Sequence, residues 1–239
     1  YGLAITTTDF NNDGWLDIYI GNDFHENDYL YLNNKDKTFT ESIKNSMSHT
    51  SHFTMGVDVA DLNQDGSLDV FTTDMMPYDP KIFLKSGGED LDKISRIKKD
   101  LGFEQQFSRN HMQISRGNNT FSEVAIQTNT HATDWSWGVL LQDFDSDGRD
   151  DIFISNGILK RPNDLDYINY LSNVDFTEYN NSRQDVIKKK LIDKMPTLKI
   201  PNLFFKNNGN LNFEKVNPSF TGIPSYSNGA AYADLDLDG

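Results

Sequence analysis

One nine-residue pattern constrains this chain more than any other feature. It reads Asp9-Phe-Asn11-Asn-Asp13-Gly14-Trp15-Leu-Asp17, then Asp61-Leu-Asn63-Gln-Asp65-Gly66-Ser67-Leu-Asp69, then Asp143-Phe-Asp145-Ser-Asp147-Gly148-Arg149-Asp-Asp151. A fourth copy begins at Asp234-Leu-Asp236-Leu-Asp238-Gly239. Side-chain oxygens at positions 1, 3, 5 and 9 suit a hard cation that takes six to eight oxygen ligands. Glycine at position 6 supplies the positive φ that folds the loop back on itself. Position 7 offers its backbone carbonyl, so its side chain is free to be Trp15, Ser67 or Arg149. Calcium is the cofactor this predicts. No Cys or His stands in the loops, which argues against zinc and copper. Magnesium keeps more water and fewer protein ligands.

The residues after each loop separate it from other calcium motifs. An EF-hand needs a bidentate Glu at position 12, and here that position is Ile20, Thr72 or Ile154. Dockerin-type loops run into helices. These loops run into Leu16-Asp17-Ile18-Tyr19-Ile20, Leu68-Asp69-Val70-Phe71 and Asp151-Ile152-Phe153-Ile154, short β-branched and aromatic stretches that read as strands. A metal-free Asx turn could account for one such loop, but not for three in matching context.

The repeat is larger than its loop. An aromatic stands eight residues before each opening Asp (Tyr1, Phe53, Trp135, Tyr226), and a small residue five before it (Ala4, Gly56, Gly138, Gly229). In the first repeat the pattern predicts strands near 3–8, 15–20, 28–33 and 38–42. The last two pair as a hairpin, with equivalents at Asn110–Gly117 with Phe121–Glu123, and Asn202–Asn207 with Phe213–Glu214. The first interval between opening aspartates is near the length of a four-stranded blade. The later two are longer and carry insertions, about 75–106 and about 158–200. The first insertion predicts an amphipathic helix with Leu91, Ile94, Ile97 and Leu101 on one side. The second has a Ser182-x-x-Asp185 cap signal before Val186, Ile187, Leu191 and Ile192. Both helices are expected to pack against the rim.

The predicted fold class is all-β: a β-propeller fragment of four-stranded blades, with calcium loops between strands 1 and 2 and helical insertions. Blades fall at about 1–52, 53–134 and 135–225, and the next starts at 226–239. Three blades cannot close a propeller, and there is no initiator Met or signal peptide, so a piece of a longer protein is expected. The net charge is −14. Each Ca²⁺ adds two charges, so three would bring it to −8, and much of the acidity is site chemistry. No basic stripe suggests nucleic acid, no apolar run reaches membrane-spanning length, and Cys is absent, which excludes a disulfide framework.

The loops, the Asn-x-Leu-Tyr-x-Asn and Phe-x-Glu hairpins and their spacing resemble FG-GAP/VCBS repeats over nearly the whole chain. More narrowly, Gly21-Asn22-Asp23-Phe24, Thr73-Asp74-Met75 and Ser155-Asn156-Gly157-Ile158 resemble propellers of ASPIC/UnbV-type proteins of Bacteroidota. That resemblance implies a secreted or cell-surface protein, with possible outer-membrane association or a surface complex.

Strand direction then places function. Calcium loops join strands 1 and 2, so the insertions and the connections between repeats lie at the opposite end. That end gathers Asn22, Asp23, His25, His49, His52, Asp74, His131, Asp134 and Asn156. The leading expectation is a non-enzymatic scaffold that binds a protein or glycan there. Trp135, Trp137, Tyr78, Tyr167 and Tyr170 offer rings for sugar stacking, although Trp135 and Trp137 match blade-packing positions. Two alternatives stay open. One is a polysaccharide lyase or hydrolase with His52 paired to Asp23, Asp74 or Asp134 as acid and base. The other is an integrin-like adhesion propeller.

Overall fold

The computed structural model describes residues 1–88, 90–174, 184–217 and 221–235. The first sheet contains β1 (Gly2–Thr8), β2 (Asp17–Asn22), β3 (Tyr29–Asn33) and β4 (Phe39–Glu41). A one-turn helix, α1 (Ile43–Ser46), and the two-residue β5 (Thr50–Ser51) lead to the second sheet. That sheet holds β6 (Gly56–Ala60) and β7 (Asp69–Thr73). An insertion with α2 (Pro80–Phe83), α3 (Asp92–Asp100) and β8 (Gln106–Phe107) follows, and β9 (His111–Ser115) and β10 (Phe121–Glu123) complete the sheet. The third contains β11 (Ser136–Gln142) and β12 (Asp151–Asn156), then α4 (Leu165–Ser172) and α5 (Gln184–Lys194), then β13 (Leu203–Asn207) and β14 (Phe213–Val216).

In each sheet the four strands lie in sequence order and are antiparallel. The described residues build three such sheets and no closed ring of them. The first strands meet: β6 contacts both β1 and β11. The second strands begin at position 9 of each loop, so positions 7 and 8 belong to the loop and leave Trp15 and Leu16 exposed.

Sheets stacked face to face bury both faces of the middle one. All five residues of β7 and all five of β9 are buried. Tyr19, Leu30, Ile43 and Val70 fill one interface. Phe71, Met112, Ile114, Ile152, Ile154 and Leu203 fill the other. A side chain at Gly56 would strike the Trp137 carbonyl oxygen, which lies 2.3 Å from where its Cβ would stand. Glycine there lets β6 approach β11.

The insertions correct one expectation. The predicted helix forms as α3, but it buries none of its residues, and Leu91 and Leu101 at its ends stay more than 70% exposed (77% and 72%). In α5, Val186 and Ile192 are also exposed. The apolar stripe of α3 therefore does not pack against the rim. Contacts from loop segments hold the insertions instead. Gln106 Nε2 donates to the Glu26 carbonyl (2.9 Å), and the Glu104 amide donates to Asn27 Oδ1 (3.1 Å). The two insertions join each other where the Gly87 amide donates to the Asn163 carbonyl and the Leu165 amide to the Lys85 carbonyl (both 2.8 Å). Ser182 of the predicted cap lies outside the described residues.

Candidate metal loops and the opposing end

The three acidic loops repeat one hydrogen-bond pattern. The position 1 carboxylate accepts from the amide of position 5, in Asp9 with Asp13, Asp61 with Asp65 and Asp143 with Asp147 (2.9, 3.0 and 3.0 Å). Its second oxygen accepts from the position 6 glycine, at 2.6, 2.8 and 2.7 Å. The position 5 carboxylate accepts from position 7, in Trp15, Ser67 and Arg149. Glycine is required at position 6 because φ there is +87°, +86° and +85°. Asn11 Oδ1 and Asn63 Oδ1 turn onto the same position 5 amide, so oxygens from positions 1 and 3 converge. In the third loop the carboxylates of Asp143, Asp145 and Asp147 come within 4.8 Å of one another.

Position 9 differs. Asp17, Asp69 and Asp151 are fully buried. Asp17 accepts from the amides of Phe10 (3.0 Å) and Asn33 (2.8 Å). Asp69 accepts from those of Leu62 (3.0 Å) and Ser115 (2.8 Å), and Asp151 accepts from Asn207 (2.8 Å). This carboxylate ties the loop to the third strand. Burial raises the pKa of all three, with the neighbouring loop carboxylates adding to it, and Asp69 is pushed up to about 7. An all-oxygen donor set that includes one buried carboxylate beside like charges fits a hard divalent cation, which would offset that repulsion. Positive side chains already lean on the rims of two loops: Lys35 on Asp13 (3.3 Å), and Lys206 on Asp145 and Asp147. In the fourth copy only Asp234 lies among the described residues; Asp236 and Asp238 fall outside them.

At the opposite end, most of the singled-out polar residues are buried parts of the framework. The amides of Asn22, Asp74 and Asn156, at or just beyond the ends of the second strands, donate to Asp28, Asn110 and Asn202. Asp74 also accepts from Ser51 Oγ and from the Phe53 amide. Asn156 Oδ1 accepts from Ser136 Oγ (2.7 Å). Asp134 forms a buried ion pair with Arg161 (2.8 Å). Trp135 and Tyr167 are buried, and the Trp137 indole donates to the Gly157 carbonyl (2.6 Å).

His52 is 3% exposed. Its Nε2 faces Asp90 at 4.0 Å, and its ring lies 5.8 Å from that of His25, while Asp74 holds the two residues that flank it, Ser51 and Phe53. Sequence reasoning left out Asp90, because no local spacing links residues 52 and 90. The apolar clefts were missed for the same reason. One, about 360 Å³, is lined by Phe53, Met75, Met76, Phe83 and Leu84. Its neighbour, about 400 Å³, is lined by Met76, Tyr78, Phe83, His131, Phe205 and Lys215.

A family model described as FG-GAP-like repeat matches residues 9–72 and 99–154. The first span covers the first acidic loop and runs through the second; the other covers the third. No curated protein matches the chain.

Proposed function

This chain belongs to the FG-GAP-like repeat family, and we propose that it is a calcium-stiffened β-propeller segment that binds a protein partner at the end away from its acidic loops. The observation that carries this reading is the separation of the two ends. The repeated acidic loops cluster at one, while the joined insertions and both apolar clefts occupy the other. Contact of β6 with both β1 and β11 supports radial packing of blades about their first strands.

In each loop, positions 1, 3 and 5, the position 7 carbonyl and the position 9 carboxylate would hold the ion. Calcium would supply charge compensation and rigidity. Loops on such a scaffold commonly carry binding. A protein segment suits the clefts better than a glycan. Methionine and phenylalanine line them, while Trp135 and Tyr167 are buried and the Tyr78 ring is covered by Lys215, 4.0 Å from its centroid, which withholds these rings from sugar stacking. Methionine-rich surfaces adapt to protein partners. Extracellular calcium modules bind at about 10⁻⁴–10⁻³ M, so an extracellular or cell-surface setting suits the loops. The likeness to ASPIC/UnbV-type proteins points the same way. No described helix is long and apolar enough to cross a membrane.

Thermal melts in calcium and in EDTA test the metal. At ten times Kd each site stabilises by about 1.4 kcal/mol, so three loops should raise Tm by roughly 8–16 °C. Identical curves would remove calcium from the reading. Peptide-library and glycan-array binding, each repeated with Met76→Asp, test the partner. Peptide binding lost in a variant that melts normally supports a protein partner; glycan binding alone overturns it.

A further inference from the structure

We infer that His25, His52 and Asp90 form a second metal centre, chemically distinct from the acidic loops, that takes a divalent transition ion such as zinc. The three come from separate segments at the opposing end: the β2–β3 connection, the residue after β5, and the insertion ahead of α3. One ligand atom from each lies within 4.8 Å of the others.

The strongest element is His52. It is almost fully buried, yet its Nε2 has no hydrogen-bond partner. Its Nδ1 lies 3.2 Å from Ser108 Oγ, and Ser108 Oγ donates to the Gly88 carbonyl (2.8 Å). With the hydroxyl proton engaged by Gly88, Nδ1 carries its own proton and donates to Ser108. The lone pair is then on Nε2, directed towards Asp90 at 4.0 Å. Metal-bound histidines are held in this way, with the far ring nitrogen donating to a fixed acceptor that sets tautomer and orientation.

The other two ligands supply adjustment. Lys98 holds Asp90 through a 2.9 Å ion pair. His25 is exposed, with its ring against those of Phe24 and His52. Around one zinc at about 2.0–2.2 Å, ligand atoms stand roughly 3.3–3.6 Å apart, so the cluster must contract by about 1 Å. Two nitrogens and a carboxylate suit zinc, and three protein ligands leave a fourth position open to water or to a partner's side chain.

A comparable cluster, His49, His111 and Glu123, does not qualify. Arg109 engages two of its three ligand atoms, donating to Glu123 Oε2 at 2.9 Å and sitting 3.4 Å from His49 Nε2, whereas Lys98 engages only Asp90 and leaves His52 Nε2 unpartnered.

The test titrates zinc into calcium-saturated protein by calorimetry and records the visible spectrum with cobalt in its place. Keeping calcium saturating separates this site from the acidic loops, and the inference does not depend on them. The expected result is one zinc per chain and a low-symmetry cobalt spectrum. His25→Ala and Asp90→Asn alter accessible positions and should each weaken binding about 100-fold, and Ser108→Ala about tenfold through His52 orientation. His49→Ala should change nothing. Unchanged affinity in both His25→Ala and Asp90→Asn, equal loss in His49→Ala, or no zinc uptake by the wild type would overturn the proposal.

Discussion

Asp28→Asn should stabilise this protein at alkaline pH, because repeat symmetry and electrostatics conflict at residue 28. Asp28 is fully buried just before β3. Its Oδ1 accepts from the Asn22 amide (2.8 Å), and its Oδ2 from Tyr19 (2.7 Å) and Thr54 (3.0 Å). The other repeats place Asn110 and Asn202 in the same role. Burial pushes the Asp28 pKa from 3.8 to about 7 despite those hydrogen bonds. A shift of about three units is about 4 kcal/mol. Because the folded value lies above the unfolded one, the folded state binds more protons across that window. Stability therefore falls as pH rises from 3.8 to about 7 and is level above it. Asparagine removes this dependence and keeps an acceptor for the Asn22 amide, while both hydroxyls can rotate to accept from its NH₂. Losing charge-assisted bonds takes back about 1–2 kcal/mol. The net gain at pH 8 is about 2–3 kcal/mol, or roughly 4–12 °C in Tm, and it should vanish near pH 5. Melts of both proteins at the two pH values, in saturating calcium, provide the assay. A variant less stable at pH 8, or a gap independent of pH, would refute the reasoning.

Two further substitutions separate roles within the repeat. Asp65→Ala should abolish the calcium response of one loop yet barely move the melt in EDTA. Asp69→Ala should lower even the EDTA melt, by about 2–4 kcal/mol, because it leaves the Leu62 and Ser115 amides without their acceptor; equal behaviour of the two variants in EDTA would contradict that division. Gly56→Ala should cost about 1–3 kcal/mol or more, since its Cβ meets backbone rather than a flexible side chain. A melt unchanged from wild type would show that β6 and β11 can separate without penalty.

Strands and the turns of the acidic loops were legible because their causes are local. A glycine at positive φ, a carboxylate reaching an amide four residues on and a β-branched run each act over less than ten residues. Even the polarity of the sheets followed, since antiparallel strands place successive connections at alternate ends. The amphipathic pattern of α3 was legible too, but what its apolar side meets was not.

The candidate site shows the same limit. Asn22, Asp74 and Asn156 stand at or just beyond the ends of the second strands, and nothing in their spacing says that they are buried and hydrogen-bonded. His52 was singled out by residue type alone. Its pairing with His25 and Asp90 arises where a strand connection, an inter-repeat segment and an insertion meet. The sequence by itself therefore determined the repeated unit and the oxygen chemistry of its loops. Only the tertiary structure decided which polar groups are buried, which remain unpartnered and which distant residues face one another, because burial and electrostatic partnership depend on distance in space rather than along the chain.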